Sequence, residues 1–320
     1  MSKPMFADGS TVLWRSKSEV QFGFDYRTAV RLPADDASFL ISACTGTLSV
    51  AEILHQAELL GRDITLLAQV IARMLEVGLL IPSNEVKPGQ PIANIEVEIT
   101  GAGRLGTTVA ILLAHSGLSN IRIKDRQPIS NSDLTAWGPS RIDIGQRRDH
   151  TALLILERIQ RGMWPRLLRP IKPELPKLAI RCPDPIGLTP WLDPNLADDM
   201  VATDTPHIVA STGATHSLVS SVLNPKDTAC LRCFHARLAD LDSAWPLISS
   251  QLIGRPTRDL ASAKLVLQTA IHISDLVFDW CSKNMEWKSG FYELAEPMFE
   301  PKFLPVATHS SCGCQWNKAS

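Results

Sequence analysis

Residues 11–24, TVLWRSKSEVQFGF, alternate apolar and polar side chains closely enough to predict an extended hairpin, and AVRLP at 29–33 adds a third short strand. Beyond residue 33 the period lengthens to that of helices. ADDASFLISACTG opens on acids and closes on glycine, and SVAEILHQAELLG carries Ser49 and Glu52 in capping-box spacing with Gly61 as its stop. DITLLAQVIARMLEVGLLIP starts from an Asp cap and sets Ile64, Leu67, Val70, Ile71, Met74 and Leu75 along one face before a short apolar strand. Strands, three helices and a closing strand predict a small α+β domain of winged helix-turn-helix type over residues 1–88. SNEVKPGQPIAN at 83–94, rich in proline and polar groups, reads as a linker into a second domain over 89–320.

The second domain opens with IEVEIT, which runs directly into Gly101-x-Gly103-x-x-Gly106 and then into the helical pattern TTVAILLAHSG. A strand, a glycine turn and a helix in this order can bring a phosphate to a helix N-terminus. The next strand, IRIKD, ends at Asp125, 19 residues after Gly106, where a ribose-binding carboxylate is expected. The same turn also serves an α/β scaffold that keeps its glycines for packing and binds no nucleotide. Both readings stand on these residues alone.

Charge narrows the choice of partner. The formal net charge is -1, so no overall field favours nucleic acid or anionic membrane. Residues 1–90 carry eight Lys or Arg against ten Asp or Glu, and the last helix sets Asp63 and Glu76 beside Arg73, which argues against a DNA reader. The N-terminus lacks a signal-peptide pattern and no apolar run reaches membrane-span length, so a cytoplasmic protein with no membrane partner is expected. Four of the seven cysteines form two close pairs, Cys230-x-x-Cys233 and Cys312-x-Cys314, a pattern of structural zinc. A redox Cys-x-x-Cys is the competing reading, and it has no use for the second pair. Cys44, Cys182 and Cys281 sit among apolar residues as expected core positions; His235 and His309 are near enough in sequence to stand behind the thiolates, with solvated or core histidines the favoured alternative.

GAGRLG, IRIKDRQPISNSDL, the Gly-Gln-Arg-Arg turn, CLRC and CGC together resemble the ThiF/MoeB-like adenylating family, relatives of ubiquitin-activating enzymes, over residues 94–320. The resemblance implies a Rossmann-like domain with a mostly parallel sheet. It also implies ATP in the glycine loop at Gly101, Gly103, Gly106 and Asp125, a phosphate-binding cation at Arg148, and zinc on the paired cysteines. The chain departs from the family pattern at Gln127, Asp133, Ala136 and Trp137, and the magnesium-binding acid aligns with Ala210. Adenylation needs Mg2+, and Mg2+ needs oxygen ligands. Little intrinsic adenylation is therefore expected unless another acid, such as Asp199 or Asp204, serves.

TACLRCFHARLADLDSAWPLISSQL and HSSCGCQW further resemble the ThiF-like partner proteins of azole- and azoline-forming systems, in which a RiPP recognition element precedes the ThiF-like domain. This implies binding of the leader of a ribosomal precursor peptide and its delivery to a YcaO-type cyclodehydratase, with homodimers common among such domains. Such a leader adds as a strand beside the last helix. Val20, Phe22, Phe24, Tyr26, Val30, Leu67, Ile71 and Leu75 are the candidates to face it, with most residues at this spacing expected in the core. Two alternatives are a working ThiF-type adenylyltransferase and, against the paired cysteines, a nicotinamide or flavin oxidoreductase.

Overall fold

The computed structural model describes residues 3–82 apart from 8, residues 95–163, residues 177–282 apart from 226 and 256, and residues 287–297 and 300–314. The linker expected at 83–94 lies outside these. The chain divides into two compact units, Met1–Gln90 and Pro91–Ser320.

The first unit runs β1 (Pro4–Phe6), β2 (Val12–Trp14), β3 (Glu19–Phe22), β4 (Val30–Pro33), α1 (Ala34–Ala43), α2 (Val50–Leu59), α3 (Ile64–Glu76) and β5 (Leu80–Pro82). β2, β3 and β4 form an antiparallel sheet in that order, and β1 pairs with β5. The helix starts follow their sequence signals. The Ser49 hydroxyl accepts the Glu52 N–H at 3.3 Å while the Glu52 carboxylate accepts the Ser49 N–H at 2.7 Å. At α3, Asp63 accepts the N–H groups of Thr65 and Leu66 at 2.9 and 3.0 Å.

Val20, Phe22, Val30, Leu67 and Ile71 lie in this unit's core with Leu40, Ile53 and Met74. Burying each large apolar side chain contributes about 1.5–3 kcal/mol, and that packing engages the five residues fully. Most residues at this spacing are expected in the core, and these five are there: alternation marks the buried face of a strand, and here the helices cover it. Leu75 packs partly buried at the rim of the core, whereas Phe24 and Tyr26 are 80% and 84% exposed.

The second unit contains β6 (Glu96–Thr100), α4 (Arg104–His115), β7 (Ile121–Lys124), α5 (Arg148–Met163), β8 (Lys177–Arg181), α6 (Asp198–Ala202), β9 (His207–Thr212) and β10 (His216–Ser220). α7 (Leu231–Leu241), α8 (Trp245–Ser250), α9 (Ala263–Ser282), β11 (Gly290–Ala295) and β12 (Lys302–Pro305) complete it. Seven strands form one sheet in the order β12-β11-β10-β9-β8-β6-β7. β7, β6, β8 and β9 are parallel, and the sheet turns antiparallel from β9 to β12.

Near-continuous apolar runs suit strands covered on both faces. α4, α5 and α9 pack together over one apolar cluster, which includes Val97, Ile99, Leu113, Ile180 and Val277. A second cluster joins Val209, Phe291, Leu231 and the cysteine pairs. Parallel strands place their carboxyl ends together, and ligands of such sheets bind there. In this chain those ends deliver Gly101, Asp125 and the Cys182–Asp184 segment to one place.

Candidate functional site

The glycine turn is shaped first by the chain's own packing. Gly101 has φ +92°, and a Cβ there would lie 2.0 Å from the Cys182 carbonyl oxygen, so only glycine fits. Gly106 faces back onto the Gly101 carbonyl equally tightly. Gly103 differs: a Cβ on it would lie 2.6 Å from Oδ1 of Asp184. The turn therefore brings a carboxylate of the protein itself against the N-cap residue of α4.

That carboxylate belongs to a buried ion network. Arg148, 5% exposed, donates to Asp184 at 2.7 Å, to both oxygens of Asp133 at 2.8 and 3.1 Å, and to Asp125 at 3.3 Å. Asp125 also accepts the Ala102 N–H at 2.8 Å, and Asp133 accepts the Ser130 N–H at 2.7 Å. Arg148 holds its proton more tightly than usual: burial pulls its pKa down, and the hydrogen bond and charge of Asp184, then the charges of Asp133 and Asp125, more than offset this. Asp184 moves up from 3.8 because burial disfavours its charge and outweighs the hydrogen bond and charge of Arg148, with smaller upward pushes from the charges of Asp125 and Asp133. The surrounding acids decide the direction at Arg148, and burial decides it at Asp184.

Outside this network, Thr100, Gly101, Lys124, Arg126, Arg147, Asp149, Arg181 and Leu196 help line a cleft of about 940 Å³. Arg147 pairs with Asp149 at 2.6 Å, and Arg181 hydrogen-bonds Thr100 and Asp199. Ala210 is fully buried within β9, opposite Val219, and brings no oxygen ligand. Asp199 is engaged by Arg181, and Asp204 sits in the turn after α6 with φ 55°. Trp137 donates its indole N–H to Thr108 at 3.0 Å.

These residues do not fit a triphosphate. An anion at the α4 N-terminus would meet the Asp184 carboxylate, and Arg148 is already shared by three acids. The side chain that sequence reasoning missed is Asp184. Its signal was an acid three residues past the strand KLAIR, at the carboxyl edge of a parallel sheet beside a glycine turn.

The second candidate site is the cysteine cluster. Cys230 is the N-cap residue of α7 and Cys233 lies in its first turn; Cys312 and Cys314 return from the tail. The four sulfurs lie within 4.8 Å of one another, and among the described residues this is the one group of three or more Cys, His, Asp or Glu that converges so. Cys230 is 3.5 Å from Cys312 and 3.9 Å from Cys233, and Cys233 is 3.5 Å from Cys314. Tetrahedral thiolates at about 2.3 Å from one ion stand about 3.8 Å apart, so a metal ion such as zinc fits.

Groups behind the sulfurs fix the tail in place. The His309 N–H donates to the Cys233 sulfur at 3.3 Å, the His309 ring bonds Asp240 at 2.9 Å, and Arg237 donates to the Ala307 carbonyl at 3.1 Å. His235 bonds the Leu192 carbonyl at 2.8 Å and accepts the Trp245 indole N–H at 3.1 Å, which fixes its tautomer. The remaining cysteines stand apart from the cluster: burial raises Cys44 to about 11, and raises Cys182 and Cys281 to about 12.

No helix among the described residues is long and apolar enough to cross a membrane. No family model and no curated protein matches the sequence. Solved structures do. Escherichia coli MccB bound to AMPCPP and MccA is 16% identical, with a TM-score of 0.62 over 98% of this chain and 99% of that one. The microcin C7 biosynthetic enzyme MccB with N-formylated MccA superposes at a TM-score of 0.61, with 16% identity and coverage of 98% and 99%. The heterocyclase TruD matches at 12% identity and a TM-score of 0.51, over 98% of this chain and 42% of its own. At these identities the likeness is one of fold, and it supports the expected ThiF/MoeB-like architecture.

Proposed function

We propose that this protein is a ThiF-like partner in ribosomal peptide modification: it binds the leader of a precursor peptide and presents it to a separate YcaO-type cyclodehydratase. The observation that carries this reading is the Arg148 network, in which Asp184 stands against Gly103 where a phosphate would lie. A nucleotide fold whose anion cradle holds its own carboxylate keeps its architecture and loses its chemistry.

In this reading the first unit is a winged helix-turn-helix recognition element, and the peptide adds as a strand to a free edge of the β2-β3-β4 sheet. MccB structures with MccA peptides and the heterocyclase TruD, both of like fold, support a peptide as the ligand class. The four cysteines hold structural zinc with no coordination position left for water. Fluorescence polarisation with leader peptides encoded beside the gene should give saturable binding, and ATP–pyrophosphate exchange should stay at background with every such peptide. Absence of binding to all of them overturns the reading.

A second reading, a working adenylyltransferase that activates a peptide or carrier-protein carboxylate, is favoured by the fold shared with MccB, which has been solved with ATP. Peptide-dependent exchange by the purified chain would establish it over the first.

A further inference from the structure

The docking reading does not say what chemistry the peptide carries, and the surface of the first unit supplies it. In the three-stranded sheet β4 is an edge: one side pairs with β3 and the other has no strand beside it among the described residues. Val30 and Leu32 point into the core while Arg31 and Pro33 are exposed. Arg31 therefore stands on the outer face, in register with Gln21 and Leu13, and has no ion-pair partner among the described residues. It is a cation in the middle of an open edge strand.

Two more arginines mark the entrance to the same strand. Arg73 on α3 donates to the Arg27 carbonyl at 3.3 Å, which sets the Arg73 face of α3 beside the segment that enters β4. Leu66, seven positions earlier on that helical face, is 39% exposed. Arg27 and Arg73 have acidic neighbours, Asp25 at 3.8 Å and Glu76 at 2.8 Å, but every one of these side chains is at least 47% exposed. Such pairs contribute under about 1 kcal/mol and exchange readily for a ligand carboxylate.

Arg31 lies on β4, and Arg27 and Arg73 flank the segment that enters it, although acids outnumber bases in residues 1–90. A uniform polyanion such as DNA would meet the surplus acids, whereas a strand directs alternate side chains to opposite faces and can match a local charge. We propose that the free edge of β4 takes an extended acidic peptide whose apolar side chains alternate toward α3 and whose carboxylates alternate toward Arg31, with Arg27 and Arg73 receiving a carboxylate at the strand entrance. This deepens the docking reading and rests on it.

The test uses the full chain and two fluorescein-labelled peptides of about ten residues that alternate Ile with Glu or Ile with Lys. The Glu peptide should bind at least about tenfold more tightly, and added salt should narrow the gap. Arg31→Glu, at an exposed position whose fold is checked by circular dichroism, should weaken the Glu peptide about tenfold and strengthen the Lys peptide, while Arg31→Lys keeps the wild-type preference. Equal binding of the two peptides, an unchanged preference in Arg31→Glu, or displacement of the peptide by a short DNA duplex would overturn the proposal. If neither designed peptide binds while a leader peptide does, the acidic-strand proposal falls and the docking reading stands. If leader peptides fail as well, both fall.

Discussion

The cysteine cluster and the Arg148 cleft are both places where polar side chains converge inside the second unit, and they converge in opposite ways. At the cysteines four like groups meet at spacings that suit a central ion. Around Arg148 three acids already meet their cation, with Asp184 filling the approach to α4. One cluster has the spacing to be completed by an ion from outside, and the other is completed from within. Buried charge left alone costs several kcal/mol, so each needs its centre, and only the source of that centre differs.

Removing the centre from outside should have the largest effect. Chelation at neutral pH, or Cys230→Ser, should release about one metal ion per chain and lower the thermal midpoint of the second unit strongly, since structural zinc contributes on the order of 10 kcal/mol of folding free energy. A dye assay for released zinc with parallel calorimetry measures both. Release without loss of stability would show that Phe291, Leu231 and their neighbours hold the tail unaided.

Removing the centre from within comes next. Arg148→Ala leaves three buried carboxylates without their cation and should cost about 3–5 kcal/mol in urea unfolding. Arg148→Lys keeps the charge but not the two-pronged contact to Asp133, so it should cost less. Equal losses would place the value of Arg148 in its packing.

The smallest effect concerns Asp184. Its folded-state pKa is raised from 3.8, mainly by burial, so the folded protein holds a proton that the unfolded chain has released. That contribution is fully present below pH 3.8 and is lost as pH rises through the folded value. Asp184→Asn should flatten this part of the stability curve and change stability at pH 7 by less than Asp133→Asn, because Asp133 takes two bonds from Arg148 and two from Ser130. A steeper curve in Asp184→Asn would contradict the burial argument.

The cysteine cluster was legible in the sequence because its signal is local: two short spacings determine which sulfurs can face one ion, and Cys230, Cys233, Cys312 and Cys314 do meet. The strand, glycine turn and helix around Gly101 were legible for the same reason. Asp184 was not, because its role depends on β8 lying beside β6, a pairing between residues 81 apart in the chain. The first unit shows the converse limit. Val20 and Phe22 carry the right alternation for a strand, but alternation alone does not tell a face covered by the chain's own helices from one kept for a ligand.

The sulfur pairs also set an order of events. Cys230 and Cys312 are 82 residues apart, so during synthesis the first pair leaves the ribosome well before the second exists. For that interval two thiols wait with half a coordination sphere, open to oxidation or to a borrowed ion. With the ion proposed for the four cysteines, closing the tail would be a late checkpoint on the newborn chain, reached only when both the polypeptide and the cell's metal supply have arrived.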